Sequence, residues 1–266
     1  MSRYSPSSTV EVLDRVLRDT SALTGARRRL LQRAAVGAAG VAAASAGILA
    51  SSALADDRPH GPSNRDGSID SWGVFTSTTE ALTVTILDEL LRRTSLHPEV
   101  PSEVSLTFDA VYAAELDHWN FISQHFDPST KHFWIPDGFF GGADDALDLR
   151  AVGMGVSGGE TLFINTYLVG VTTFAEAGDP KFARYAAEAA GDESEHRVLG
   201  QTLAGASPPN NLGFEEFLFD NVSDIEGALV GAGFGLGQEG ASPGRFYDLP
   251  DPLMAAPISI SSNEPK

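Results

Sequence analysis

The sequence contains no cysteine and only three lysines. The first absence excludes disulfides, iron–sulfur clusters, thiolate metal sites and cysteine nucleophiles. The second belongs to a wider shortage of positive charge. Against 36 acidic residues stand 18 basic ones, for a net charge of −18. Such an excess argues against nucleic acid or an anionic membrane as partner. It suits solubility, and salt adaptation and ordinary acidity fit it equally. A phosphate loop and a His-Glu-x-x-His zinc helix are also missing. A hydrolase is therefore the least supported function.

What the chain does have is one pattern twice: Glu115-Leu116-Asp117-His118 and Glu193-Ser194-Glu195-His196. Scattering 16 Glu and 6 His over 266 positions yields only about 0.4 such patterns. Three residues make about one helical turn, so each carboxylate and its imidazole point the same way. Both pairs interrupt apolar stripes. One runs through Phe108, Val111 and Ile122, the other through Phe182, Tyr185, Ala189, Leu199 and Leu203. Burying Glu and His unpaired is costly, and a shared metal ion would compensate. Carboxylate and imidazole donors suit Fe, Mn or Zn.

The N-terminal fifth, residues 1–55, reads as a targeting segment. Ala26-Arg27-Arg28-Arg29-Leu30-Leu31-Gln32 resembles a twin-arginine (Tat) export signal, with Gln32 where Lys is usual. An Ala/Gly-rich stretch follows and ends at Ala53-Leu54-Ala55, an A-x-A cleavage motif. The alternative is a retained N-terminal membrane anchor, for which the stretch is long enough. Cleavage after Ala55 would leave 11 basic and 33 acidic residues, a net charge of −22. The expected product is exported and periplasmic, extracellular or held at the cell surface, with no membrane span in its mature form.

Residues 56–71 read as a polar linker. Periodicity then predicts four helices over 72–204. The first runs from about Trp72 to Arg93, and Glu80 falls on one of its apolar stripes; an acidic residue favouring the helix start is the alternative. The second runs from Ser102, a plausible cap, to Gln124, with His125 at its end. An irregular stretch spans 126–159, with room for a short helix over 143–152. The third helix runs from Glu160 to Ala177, behind a capping box at Ser157-Gly158-Gly159-Glu160. Gly178-Asp179-Pro180 turns the chain into the fourth helix, which ends near Leu203. In the extension, 205–266, one apolar helix is expected over 214–234. The final ~25 residues read as draped or poorly ordered. The fold class is all-α: a four-helix bundle with a long crossover between helices 2 and 3.

The chain resembles the ferritin-like superfamily, and more narrowly the exported ferritin-like domain proteins that include the desiccation-related group. The resemblance covers about 72–204. It is carried by Thr79-Glu80-Ala81-Leu82, the two Glu-x-x-His pairs, and Leu168-Val-Gly-Val-Thr-Thr-Phe174. It implies a di-metal centre of two Fe or Mn ions. Glu115 and Glu193 would bridge, His118 and His196 would complete one ion each, and Glu80 would be an outer ligand. The chain departs from the family at Tyr167, where a carboxylate is usual. Either Tyr167 or Glu160, which lies two turns earlier on the same face, would complete the site. The implied chemistry is reduction of dioxygen or peroxide coupled to Fe(II) oxidation. A non-catalytic exported bundle with a degenerate site, in a protective or interaction role, is the competing expectation. A monomer or homodimer is expected rather than a cage.

Overall fold

The computed structural model describes residues 69–206 and 217–264. The expected export signal and nearly all of the linker lie outside them. Four long helices dominate: α1 (Ile69–Leu96), α2 (Ser102–Ile122), α3 (Leu149–Glu176) and α4 (Pro180–Leu203). The short connections make α1 and α2 one hairpin, and α3 and α4 another. The hairpins join where α1 meets α3 and α2 meets α4. No described helix is long and apolar enough to cross a membrane.

α1 starts at Ile69, inside the expected linker. It is buried almost all round and rich in threonine. Thr76, Thr79, Thr83 and Thr85 each donate to a backbone carbonyl three or four residues back, at 2.7–3.2 Å. These hydroxyls satisfy themselves, so they can enter the core at little cost. α2 begins after Pro101, and no side chain caps it. The cap expected at Ser102 is therefore corrected.

α3 differs most from expectation. It begins at Leu149, eleven residues before Glu160, and Asp148 caps it by accepting from the Arg150 and Ala151 amides. Ser157 and Glu160 sit inside the helix, so the capping box does not form. The glycines that suggested a loop serve close packing. A Cβ on Gly153 would stand 2.5 Å from the Gly200 carbonyl oxygen of α4. α4 agrees with the sequence reading: Gly178 takes φ +75° and Asp179 accepts from the Lys181 and Phe182 amides.

The crossover and the extension add a feature to the all-α expectation, with which the mostly helical structure is consistent. The protein is mostly helical but also carries a small antiparallel sheet, ordered β2-β1-β3. β1 (His132–Pro136) lies in the crossover, whereas β2 (Gly235–Leu236) and β3 (Gly244–Asp248) lie in the extension. Phe133 opposes both Leu236 and Tyr247. Phe133 and Ile135 are fully buried beneath the sheet, so the sheet pins the crossover to the helices. The extension's helix, α5, is shorter than expected at Val222–Gly231, and it packs on α3 and α1. Its expected N-terminal part falls partly in residues outside the description.

Candidate metal centre

Each long helix brings acidic or imidazole groups to one level of the interior. α1 supplies Glu80, α2 Glu115 and His118, α3 Glu160, and α4 Glu193 and His196. All six are buried, Glu115 and Glu193 completely. They form two overlapping groups: Glu80, Glu115, His118 and Glu193, and Glu115, Glu160, Glu193 and His196. Within each group one donor atom per residue lies within 4.8 Å of the others. Glu115 and Glu193 belong to both.

Around His118 the spacing is that of ligands rather than of hydrogen bonds. His118 Nδ1 faces Glu193 Oε1 at 3.5 Å, Glu115 Oε2 at 3.6 Å and Glu80 Oε2 at 3.9 Å. Atoms sharing one ion at about 2.1 Å each lie about 3 to 3.5 Å apart. His196 Nδ1 sits closer, 2.8 Å from Glu115 Oε1 and 3.1 Å from Glu193 Oε2. Nine buried side-chain polar atoms among the described residues lack a hydrogen-bond partner, and six belong to this cluster. They are Glu80 Oε2, both Glu115 oxygens, His118 Nδ1, Glu160 Oε2 and Glu193 Oε1. Orphaned buried donors and acceptors are costly. Here they converge on common points, which the neighbouring threonines do not.

The electrostatics agree. Burial, then the charges of Glu115 and Glu193, push the Glu80 carboxyl well above its ordinary range. Burial, then Glu193 and Glu115, do the same to Glu160. Burial would also raise Glu115, but the neighbouring imidazoles of His118 and His196 hold it below the usual range. Both imidazoles resist the lowering effect of burial and are pushed up by their partners. Asp192 leads for His118, and Glu115 for His196. Protons thus offset four carboxylates crowded into a dry interior, and two divalent cations would neutralise the same charge. The donor set and the orphaned atoms fit metal ions, and the buried Glu/His groups can hold them.

No family model, curated protein or solved structure matches the chain.

Both candidates to complete the site have definite places, and two further partners, Asp192 and Asn263, escaped the sequence reading. Tyr167, one of two candidates to complete the site, donates its phenol hydrogen to Glu80 Oε1 at 2.6 Å. Glu160 belongs to the second donor group instead. Asp192 faces the outer nitrogen of His118, with Oδ2 3.4 Å from Nε2. Its place just before Glu193 was a readable signal. Asn263, near the C-terminus, donates to the same Asp192 oxygen and lies 3.5 Å from His118 Nε2. Nothing in the sequence announced a contact across 145 positions. His125 lies outside the cluster, packed against Phe121 and Phe182. Gly155-Val156-Ser157-Gly158-Gly159 spells a nucleophile-elbow pattern that the sequence reading passed over. It lies within α3, not at a strand-to-helix turn, so it presents no such nucleophile.

Proposed function

We propose that this chain is an exported ferritin-like protein whose four-helix bundle holds a di-metal carboxylate centre of Fe or Mn. One observation carries the reading: two buried donor groups share Glu115 and Glu193, each closed by its own histidine and its own outer carboxylate. Glu80 and His118 would serve one ion, Glu160 and His196 the other, with Glu115 and Glu193 common to both. When bound, such a pair supplies redox chemistry toward dioxygen or peroxide and oxidation of Fe(II).

The chain's own groups do the rest. Asp192 accepts from His118 Nε2–H, which selects the tautomer that presents Nδ1 inward. Tyr167 fixes one Glu80 oxygen and leaves Oε2 turned toward the cluster. Leu82, Val111 and Phe163, which line one cavity with Glu160, put apolar surface beside it and disfavour water there. The twin-arginine pattern supports export in the folded state, since that route carries folded proteins.

The decisive experiment is the metal content of the folded, purified protein, by mass spectrometry. About two Fe or Mn per chain is expected. No bound metal, and a melting curve unmoved by added Fe(II), Mn(II) or Zn(II), would overturn the reading. Tyr167 favours one alternative, a non-catalytic bundle with a degenerate site, because a phenol occupies the place of a carboxylate. In that case chelation leaves the melting curve unchanged.

A further inference from the structure

A cavity of about 50 Å³ adjoins the Glu160 side of the cluster. Its walls come from three of the long helices, the crossover and the extension, chiefly Leu82, Ile86, Val111, Phe163, Leu229 and Phe234. Only two side chains in the lining carry polar atoms, Thr83 and Glu160. Thr83 spends its hydroxyl hydrogen on the Thr79 carbonyl at 3.0 Å. Glu160 is buried, and its Oε2 has no hydrogen-bond partner. The space is therefore apolar everywhere except at one carboxylate of the candidate metal centre.

Size and lining define the occupant. The volume exceeds what one water needs, but a water also needs two to four polar partners. It is about a third of a cavity that accepts benzene, so organic metabolites are too large. We propose that this cavity is a binding pocket for one small apolar molecule of dioxygen's class, held against the Glu160 edge of the cluster. The inference takes its purpose from the di-metal reading and narrows it. Hydrogen peroxide carries two O–H donors, and beyond the Glu160 carboxylate these apolar walls offer no ready acceptor, so at least one donor would be left unpaired at a cost. Dioxygen makes no such demand, so the pocket selects it over peroxide.

The test uses the metal-free full chain, so its outcome is separate from metal loading. Xenon is the first probe, by diffraction from pressurised crystals or by ¹²⁹Xe NMR. One saturable site in contact with Leu82 and Leu229 is expected. Dioxygen under pressure is the second probe, and it should enhance relaxation of the methyl groups of the same two leucines.

Gly159→Leu is the matched variant. Gly159 lines the cavity, and a Cβ there meets only Phe163, at 3.9 Å. Replacing a mid-helix glycine also favours the helix, so the variant should fold. Both signals should vanish in it while the melting temperature holds. Absence of xenon binding in the natural chain would overturn the inference. So would undiminished binding in Gly159→Leu, or ordered waters filling the cavity. A di-metal reading that failed would show instead as missing metal, whatever xenon does.

Discussion

Tyr167 of α3 donates its phenol hydrogen to Glu80 Oε1 of α1 across 2.6 Å, in an interior that water does not reach. Removing the hydroxyl leaves a buried carboxyl oxygen without a donor. Tyr167→Phe is expected to destabilise the metal-free protein by about 1–3 kcal/mol. An ion drawing on Glu80 would supply part of what the phenol gave, so the metal-loaded protein should lose less. Paired melting curves with and without chelator check this. Equal losses in both states would mean that Glu80 is no ligand.

The two donor groups predict unequal effects from similar substitutions. Glu115 belongs to both groups, Glu160 to one. Glu115→Ala should bring metal content from about two ions per chain to near zero, because both groups lose one of their two shared carboxylates at once. Glu160→Ala should leave about one. Metal analysis of both purified variants reads the difference directly. If both retain the same amount, the shared-ligand arrangement is wrong.

Asp192 and Asn263 act on His118 from outside. Asp192 accepts from Nε2–H, and Asn263 donates to the same Asp192 oxygen. Loss of such a partner typically costs 10–100-fold in metal affinity. Asp192→Ala should weaken binding at the His118 ion by about that factor, and Asn263→Ala by less. Titration with Mn(II), followed by calorimetry, measures both. Affinity unchanged in Asp192→Ala would show that His118 keeps its orientation without help.

Much of this arrangement was legible because helical chemistry is local. Glu115 with His118, and Glu193 with His196, are visible at three-residue spacing within apolar periodicity. The hairpin between Phe174 and Phe182 announced itself through Gly178-Asp179-Pro180. The start of α3 was not legible, for a physical reason. Gly153, Gly155, Gly158 and Gly159 weaken helix propensity, and Ser157 with Glu160 imitates a cap. Packing decides instead: Gly153 lies against α4 and Gly155 against Phe139, where a Cβ would not fit, so the helix runs through them. β1 was missed because its partners lie about a hundred residues away and its five residues end in proline. Asn263 was missed for the same reason of distance.

The glycine seam itself makes a prediction. A Cβ on Gly153 would meet the Ala204 backbone nitrogen at 2.4 Å, and one on Gly200 would meet the Ser157 nitrogen at 2.8 Å. Backbone cannot step aside as a side chain can. Gly153→Ala is expected to cost about 1–3 kcal/mol through overpacking, despite its gain in helix propensity. Chemical denaturation compares it with Gly159→Ala, which meets only Phe163 and should be neutral or stabilising. A Gly153→Ala protein as stable as the natural chain would mean that α3 and α4 sit farther apart than described.

Away from the cluster, Glu89 sets a pH dependence. It accepts from Arg92 Nε at 2.6 Å and from Arg93 Nε at 2.7 Å. Arg93 is fully buried, also donates to Tyr247 Oη, and lies 4.1 Å over the Phe140 ring. Burial alone would raise the Glu89 carboxyl, but the hydrogen bonds from Arg92 and Arg93 outweigh it and hold the group below its ordinary value. A carboxyl depressed in the folded state stabilises above its unfolded pKa, about 4.3, and loses that contribution as pH falls through the lower folded value. Glu89→Ala should therefore cost about 3–5 kcal/mol at neutral pH, because Arg93 is left buried without its carboxylate. The gap between the two proteins should narrow as pH drops below about 4. Denaturation midpoints measured from neutral pH into this acid range test the sign. A gap that widens toward acid would mean that Glu89 is protonated in the folded protein, and that Arg93 draws its compensation from Tyr247 and the Ala146 carbonyl instead.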